Sequence, residues 1–74
     1  MIRVYSKVPG KPPDLREPFV LPVGSTVLDM ARTVHKELAE RLTGARVWGR
    51  GRYDGQHVRR DAPLSDGDTV ELHE

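Results

Sequence analysis

The stretch FVLPVGSTVLDMARTVHKELAERL, residues 19–42, decides the fold class of this chain. Its first three residues are apolar and are followed by Pro22 and Gly24, which is typical of a short strand closed by a turn. After the turn, apolar residues recur at the spacing of one helix face. They are Val27, Met30, Ala31, Val34, Leu38 and Leu42. Thr26 and Asp29 have the spacing of a capping box, so we predict one helix that begins at Ser25 or Thr26 and ends at Gly44.

Strand patterns lie on both sides of the predicted helix. Residues 2–7 begin with apolar and polar residues in alternation, which places Ile2 and Val4 toward the core. Residues 8–18 contain four prolines and Gly10 and predict a loop, because proline cannot donate to a sheet ladder. Phe19–Leu21 then forms a short second strand, antiparallel to the first.

Three further segments after the helix have strand character. They are Arg46–Trp48, Gln56–Val58 and Thr69–His73. In the last of them Val70 and Leu72 alternate with polar residues, and Leu64 is an isolated apolar anchor before it. Two strands, a helix and further strands indicate an α+β roll, in which a mixed sheet of four to five strands packs on one main helix.

The size and composition exclude several classes of protein. Seventy-four residues suffice for one domain, spanning 1–74, and an apolar share of 36% allows only a modest core. The chain has no cysteine, which excludes disulfides and thiolate metal sites and favours a cytoplasmic setting. No apolar run is long enough for a membrane span. Little room is left for a substrate cavity, so we expect a binding module and not an enzyme.

Motifs for catalysis and cofactor binding are also missing. Gly10-Lys11 lacks the preceding glycine and the following Ser or Thr of a phosphate-binding loop. His35, His57 and His73 are far apart in the sequence and do not predict a metal site. We therefore expect no catalytic residue, no metal and no cofactor.

The charge distribution points to a candidate binding segment. Residues 46–60 contain five arginines against Asp54 alone, whereas residues 61–74 contain five acidic residues and neither Lys nor Arg. Arginine forks suit phosphates, and aromatic rings among them suit bases. The candidate RNA-binding residues are Arg46, Trp48, Arg50, Arg52, Tyr53, His57, Arg59 and Arg60. The alternative is a solvated arginine surface that the acidic tail neutralises, with Trp48 packed on aliphatic arginine stems.

The order and spacing of several segments resemble a known family. These are Val20–Val27, the helix with Ala31 and His35, Ala45–Gly49, Tyr53–Gln56 and Leu64–Glu71. Together they resemble a TGS domain, and most of all the carboxy-terminal TGS domain of the developmentally regulated GTP-binding proteins, which are Obg-related GTPases. The resemblance implies a β-grasp, ubiquitin-like fold whose last strand lies centrally, parallel to the first. It also implies contacts with RNA or the ribosome, and it carries over no nucleotide site.

Two hypotheses about function follow. The favoured one is a non-catalytic, monomeric, cytoplasmic module that contacts structured RNA or the ribosome, either as an accessory domain of a GTPase or as a free-standing relative. The alternative is a protein-docking module that binds a GTPase domain or a partner through its sheet. Sensing of guanine nucleotides by the arginines is a weaker possibility. A sulfur-carrier role is disfavoured because the chain ends Leu72-His73-Glu74 and not in Gly-Gly.

Overall fold

The computed structural model describes residues 1–8, 10 and 12–74, and in them a mixed sheet carries helices on one face. The elements are β1 (Ile2–Lys7), β2 (Asp14–Leu21), α1 (Val27–Val34), α2 (Lys36–Arg41), β3 (Gly44–Trp48), β4 (Gln56–Val58) and β5 (Thr69–His73). The strand order is β2-β1-β5-β3-β4. β5 runs parallel to β1 and antiparallel to β3, and the two outer pairs are antiparallel. The expected central position of the last strand, parallel to the first, is confirmed.

The core lies between the helices and one face of the sheet. Val4, Val47 and Val70 come from the three central strands and are fully buried, as are Val27 and Met30 of α1. This confirms the inward positions expected from the alternation of apolar residues in the strands. Leu64 is also buried, as its isolated position in the sequence predicted.

The second strand is longer than the sequence predicted. It begins at Asp14 instead of Phe19, so the expected loop over residues 8–18 is wrong for residues 14–18. Pro9 and Lys11, which belong to that expected loop, lie outside the described residues. β2 pairs only with β1, so Pro18 sits in an edge strand, where a missing N–H is tolerated.

The single predicted helix is two short helices that meet at His35. The backbone of His35 is extended, with φ −166° and ψ 133°, and its N–H donates to the carbonyl of Ala31 at 2.9 Å. Its Nδ1 accepts from the N–H of Glu37 at 3.1 Å, so the same residue ends α1 and caps α2. The expectation of one continuous helix ending at Gly44 was therefore wrong, and Gly44 begins β3.

The capping box at the start of α1 is present. The Asp29 N–H donates to the Thr26 hydroxyl, and the Asp29 carboxylate accepts from the Thr26 N–H at 2.9 Å. Two of the free N–H groups of the first turn are satisfied in this way. None of the helices in the described ranges is long and apolar enough to cross a membrane.

The turn before β5 fixes the first strand in place. The Asp66 carboxylate accepts from the N–H of Arg3 at 2.8 Å, and the Gly67 N–H donates to the Arg3 carbonyl at 2.8 Å. The N–H of Tyr5 donates to the carbonyl of Asp68 at 2.9 Å. These backbone bonds set the register that aligns the outward side chains of β1 and β5.

Candidate nucleic-acid interface

The sheet face opposite the helices carries most of the polar and aromatic side chains of the central strands. Side chains alternate along each strand, so Val4, Val47 and Val70 point toward the helices. The residues next to them in each strand point to the other side of the sheet. We call this second side the open face, because none of the helices that the structure describes packs on it. It consists of Arg3, Tyr5 and Lys7 of β1, Arg46 and Trp48 of β3, His57 of β4, and Thr69, Glu71 and His73 of β5.

The strand register arranges these side chains in two rows across the sheet. Tyr5 and Trp48 are each opposite Thr69, so an aromatic side chain stands on either side of a threonine. The second row is Lys7, Glu71, Arg46 and His57, each opposite the next. An aromatic row and a charged row therefore run side by side on the open face.

Glu71 is the centre of the charged row. Its Oε2 lies 2.7 Å from Lys7 Nζ, and its Oε1 lies 2.6 Å from His73 Nε2. The residue is only 5% exposed although it belongs to the open face, because these neighbours cover it. The Glu71 carboxylate accepts hydrogen bonds from Lys7 and from His73, and these, the Lys7 bond most of all, hold the pKa of the Glu71 carboxyl below its ordinary value, against the opposing effect of burial.

Two cations lie near the ring of Trp48. Lys7 Nζ lies 5.1 Å from the centroid of its ring, and Arg46 Cζ lies 6.0 Å from it. Arg46 is held in turn by a hydrogen bond of 3.2 Å from its Nε to the carbonyl of Gly55. The indole is half-buried. Its ring therefore packs on cationic side chains and is also partly exposed to solvent.

The five arginines of residues 46–60 do not form one surface. Arg46 is on the open face, and Arg50 is exposed in the turn that follows Trp48. β4 leads away from that turn, so Arg59 and Arg60 lie beyond its other end. There the carbonyl of Arg60 accepts from the N–H of Leu28 in α1 at 2.8 Å, and Arg59 pairs loosely with Asp61 at 3.8 Å.

Arg52 has an internal partner. Its Nε lies 3.3 Å from Oδ2 of Asp68, and its Nη2 donates to the carbonyl of Pro63 at 2.8 Å. Asp68 is fully buried, and the Arg52 side chain is 15% exposed. The structure thus shows that the acidic tail neutralises this arginine. For Arg52, this agrees with the alternative interpretation of the arginine segment.

The segment around Gly49 is built around the same carboxylate. The Ser65 N–H donates to Oδ2 of Asp68 at 2.8 Å, and a Cβ atom at Gly49 would collide with Oδ1. Glycine is therefore needed at position 49 to let the chain pass Asp68 as it leaves β3. Tyr53, in the same turn, is 73% exposed and lies outside the sheet.

Sequence reasoning missed the residues that β1 contributes to the open face, namely Arg3, Tyr5 and Lys7, as well as those that β5 contributes. The signal was present, because the inward assignment of Ile2 and Val4 places the alternate residues of β1 outward. What the sequence could not show is that β5 inserts between β1 and β3, which brings Lys7 to Glu71 and Trp48.

A separate apolar groove lies between the helices and the carboxyl ends of β1 and β5. It has a volume of about 790 Å³, and Val8, Val34, Leu38 and Leu72 supply much of its apolar lining. Val8 and Val34 are 59% and 38% exposed. Among the described residues, no three His, Cys, Asp or Glu side chains are grouped so as to hold a metal ion.

A mixed sheet with its first and last strands parallel at the centre, and with all the helices that the structure describes on one face, defines a β-grasp domain. Comparison with known families narrows this class. The model of the TGS domain matches residues 2–74, and the chain belongs to that family. This confirms the resemblance seen in the sequence.

The similar curated proteins are GTP-binding proteins. The chain is 38% identical over 72 residues to an uncharacterized GTP-binding protein of Methanocaldococcus jannaschii, covering 96% of this chain and 18% of that protein. It is 40% identical over 76 residues to developmentally-regulated G-protein 1 of Arabidopsis thaliana, covering 97% and 19%. With developmentally-regulated GTP-binding protein 1 of Xenopus laevis the identity is 34%, covering 97% and 20%. The chain thus spans about a fifth of the length of these relatives and corresponds to their accessory TGS domain.

Proposed function

We propose that residues 1–74 form a single, non-catalytic, monomeric domain that contacts RNA or the ribosome through the open face. The setting we propose is cytoplasmic, with the domain serving as an accessory part of a GTPase, in the same chain or as a separate partner. The observation that carries the proposal is Trp48 with two cations, Lys7 and Arg46, near its ring on a sheet face that the described helices leave uncovered. Cations beside a partly exposed ring supply attraction for phosphates and a surface for bases.

The charge of the open face supports this choice. On its three central strands, Arg3, Lys7 and Arg46 face one carboxylate, that of Glu71. The face is therefore more positive than the chain as a whole, which has a net charge of +1. The positive potential favours a polyanion and gives the contact a salt dependence.

We propose a smaller set of interface residues than the sequence suggested. Arg46, Trp48 and His57 form the centre of the proposed interface, and Arg50 flanks it from the turn after β3. Tyr53, in the same turn, is exposed but lies outside the sheet, and we leave it out of the interface. We assign Arg52 to the internal ion pair with Asp68 and leave it out of the interface. Arg59 and Arg60 are also left out, because they lie beyond the far end of β4.

The test is a binding titration of the chain with transfer RNA and ribosomal RNA fragments at two salt concentrations. About two to three neutralised phosphates predict a slope of roughly −2 in log affinity against log salt. Arg46→Ala should weaken binding, and Arg59→Ala should leave it unchanged. Absence of RNA binding at low salt would refute the proposal.

The apolar groove favours a second candidate function, docking of a protein. Exposed valines beside Leu38 and Leu72 offer a site for an apolar side chain of a partner, such as a GTPase domain. The two functions predict different results in a pull-down from cell extract. Partners that survive nuclease treatment and are lost in Val34→Asp would indicate docking in the groove, whereas partners lost with nuclease would indicate RNA.

A further inference from the structure

The two rows of the open face indicate what kind of RNA element the face would hold. We infer that the open face binds unpaired nucleotides, with bases stacked on Tyr5 and Trp48 and phosphates beside Arg46. This inference rests on the proposed function and specifies the ligand of the same site. Tyr5 was not among the candidate RNA-binding residues predicted from the arginine segment.

The spacing of the aromatic side chains suits two successive bases. Tyr5 and Trp48 are each opposite Thr69, so their Cα atoms are two strand spacings apart, or roughly 10 Å. An extended strand of RNA can place separate bases on two rings at such a distance once its bases are splayed apart. Thr69, a small side chain, lies between them in the register of the sheet.

The charged row lies beside the aromatic row and suits a backbone that follows the bases. Arg46 uses its Nε for the carbonyl of Gly55, which leaves its two terminal nitrogens for a phosphate. Lys7 is already bound to Glu71, so its role is to fix the position of the indole as much as to attract the backbone. Two residues on the same side of β3, Arg46 and Trp48, would then hold the phosphate and the base of neighbouring nucleotides.

The distribution of charge disfavours a double helix as the ligand. A duplex hides the faces of its bases, so a protein must bind it through many contacts with phosphates and sugars. Within the described part of the chain, the basic residues of β1 and of segment 46–60 are not arranged in such a track. Arg52 is paired internally, Lys7 is bound to Glu71, and Arg59 and Arg60 lie beyond the far end of β4. Stacking needs fewer charges, because each base contributes through its ring.

Trp48 is the only tryptophan in the sequence, so its fluorescence reports on the proposed site directly. The chain is titrated with a short single-stranded RNA and with a duplex of the same base composition, at low salt. We expect the single strand to quench the fluorescence and to bind more tightly than the duplex. Equal affinity for both, without quenching, would overturn this inference and leave the proposed function standing. Binding of neither RNA would overturn both.

Variants identify the two rings. Trp48→Leu and Tyr5→Leu should each weaken binding of a labelled single strand by roughly 5- to 150-fold, the range for loss of one stacked base. Trp48→Phe should retain most of the affinity. Tyr53→Leu is the matched control, because that tyrosine is exposed but lies outside the sheet. Thermal unfolding of each variant shows whether the variant is folded. If Trp48→Leu is unfolded, binding by Tyr5→Leu is the test of base stacking. Unchanged affinity in a folded Tyr5→Leu or Trp48→Leu variant would refute stacking on that ring.

Discussion

At the scale of single residues, the two arginines of the turn after β3 show how neighbours in sequence come to have different roles. Arg50 is exposed, whereas the Arg52 side chain reaches the buried carboxylate of Asp68 and the carbonyl of Pro63. Both belong to the same basic segment, and no pattern in that segment separates them. Only the position of Asp68 decides which arginine is internal, and the antiparallel pairing of β3 and β5, with Trp48 opposite Thr69, brings Asp68 beside this turn.

We therefore predict that Arg52→Ala destabilises the fold. Removing the guanidinium leaves the fully buried Asp68 carboxylate without its charged partner, and the loss of one member of a buried pair costs about 3 kcal/mol or more. Urea denaturation followed by circular dichroism measures the free energy of unfolding. The matched control is Arg50→Ala, which should stay within about 0.5 kcal/mol of the parent chain. Equal stability of the two variants would show that the ion pair is unimportant.

A second prediction concerns the pH dependence that Glu71 imposes. Its pKa is lowered in the folded chain by Lys7 and His73, so the ionised carboxylate stabilises the fold. This contribution is fully present above the ordinary pKa of 4.5 and is lost as the pH falls below that value, through the lower pKa of the folded state.

The measurement is the difference in free energy of unfolding between the parent chain and Glu71→Gln across this pH range. We expect the parent to be the more stable at pH 7, by about 1–3 kcal/mol for hydrogen bonds to a charged group, and the difference to shrink below pH 4.5. Glu74→Gln, at an exposed position just after β5, should show no such change. A difference that is constant with pH would contradict the role given to Glu71.

At the scale of elements, the break between α1 and α2 is the main departure from the pattern in the sequence. The apolar spacing from Val27 to Leu42 fits one helix, and nothing in it requires an interruption. The structure extends the backbone at His35 and satisfies the freed groups with its own N–H and Nδ1. A histidine in a helical pattern is ambiguous, because capping by its ring becomes visible only once the chain has turned.

The role of His35 can be tested by substitution. His35→Ala removes the acceptor for the Glu37 N–H and should lower the free energy of unfolding by about 1 kcal/mol. His35→Asn restores a side-chain acceptor at the cap and should recover most of that loss. If alanine were as stable as histidine, or more stable because it joined the two helices into one, the capping account would be wrong.

The strands were more predictable than the helices. Alternation in β1, β3 and β5 was sufficient to assign Ile2, Val4, Val47 and Val70 to the core, because each of these strands has one covered face. The length of β2 was not predictable, since Pro12, Pro13 and Pro18 suggest a loop. The edge position that accommodates Pro18 depends on the strand order and not on β2 itself.

At the scale of the whole molecule, the fold redistributes a charge pattern that is divided in the sequence. The basic segment 46–60 and the acidic segment 61–74 are neighbours in the chain, and β5 carries the acidic residues back beside β3. Arg52 meets Asp68, and Arg46 stands opposite Glu71. The positive character that remains on the open face comes from β1 as well as β3, which is why the arginine segment alone predicted only part of the proposed interface.

The open face, as the surface proposed to contact RNA, can be tested directly. The direct measurement is an amide-shift titration of the isotopically labelled chain with single-stranded RNA, together with the indole N–H signal of Trp48. We predict amide shifts at outward residues of the central strands, and unchanged amide signals at Arg59 and Arg60. The residues expected to shift are Tyr5, Lys7, Arg46, Trp48 and Thr69. Shifts confined to Val34, Leu38 and the rest of the apolar groove would contradict RNA binding at the open face. An absence of shifts at low salt would contradict it as well.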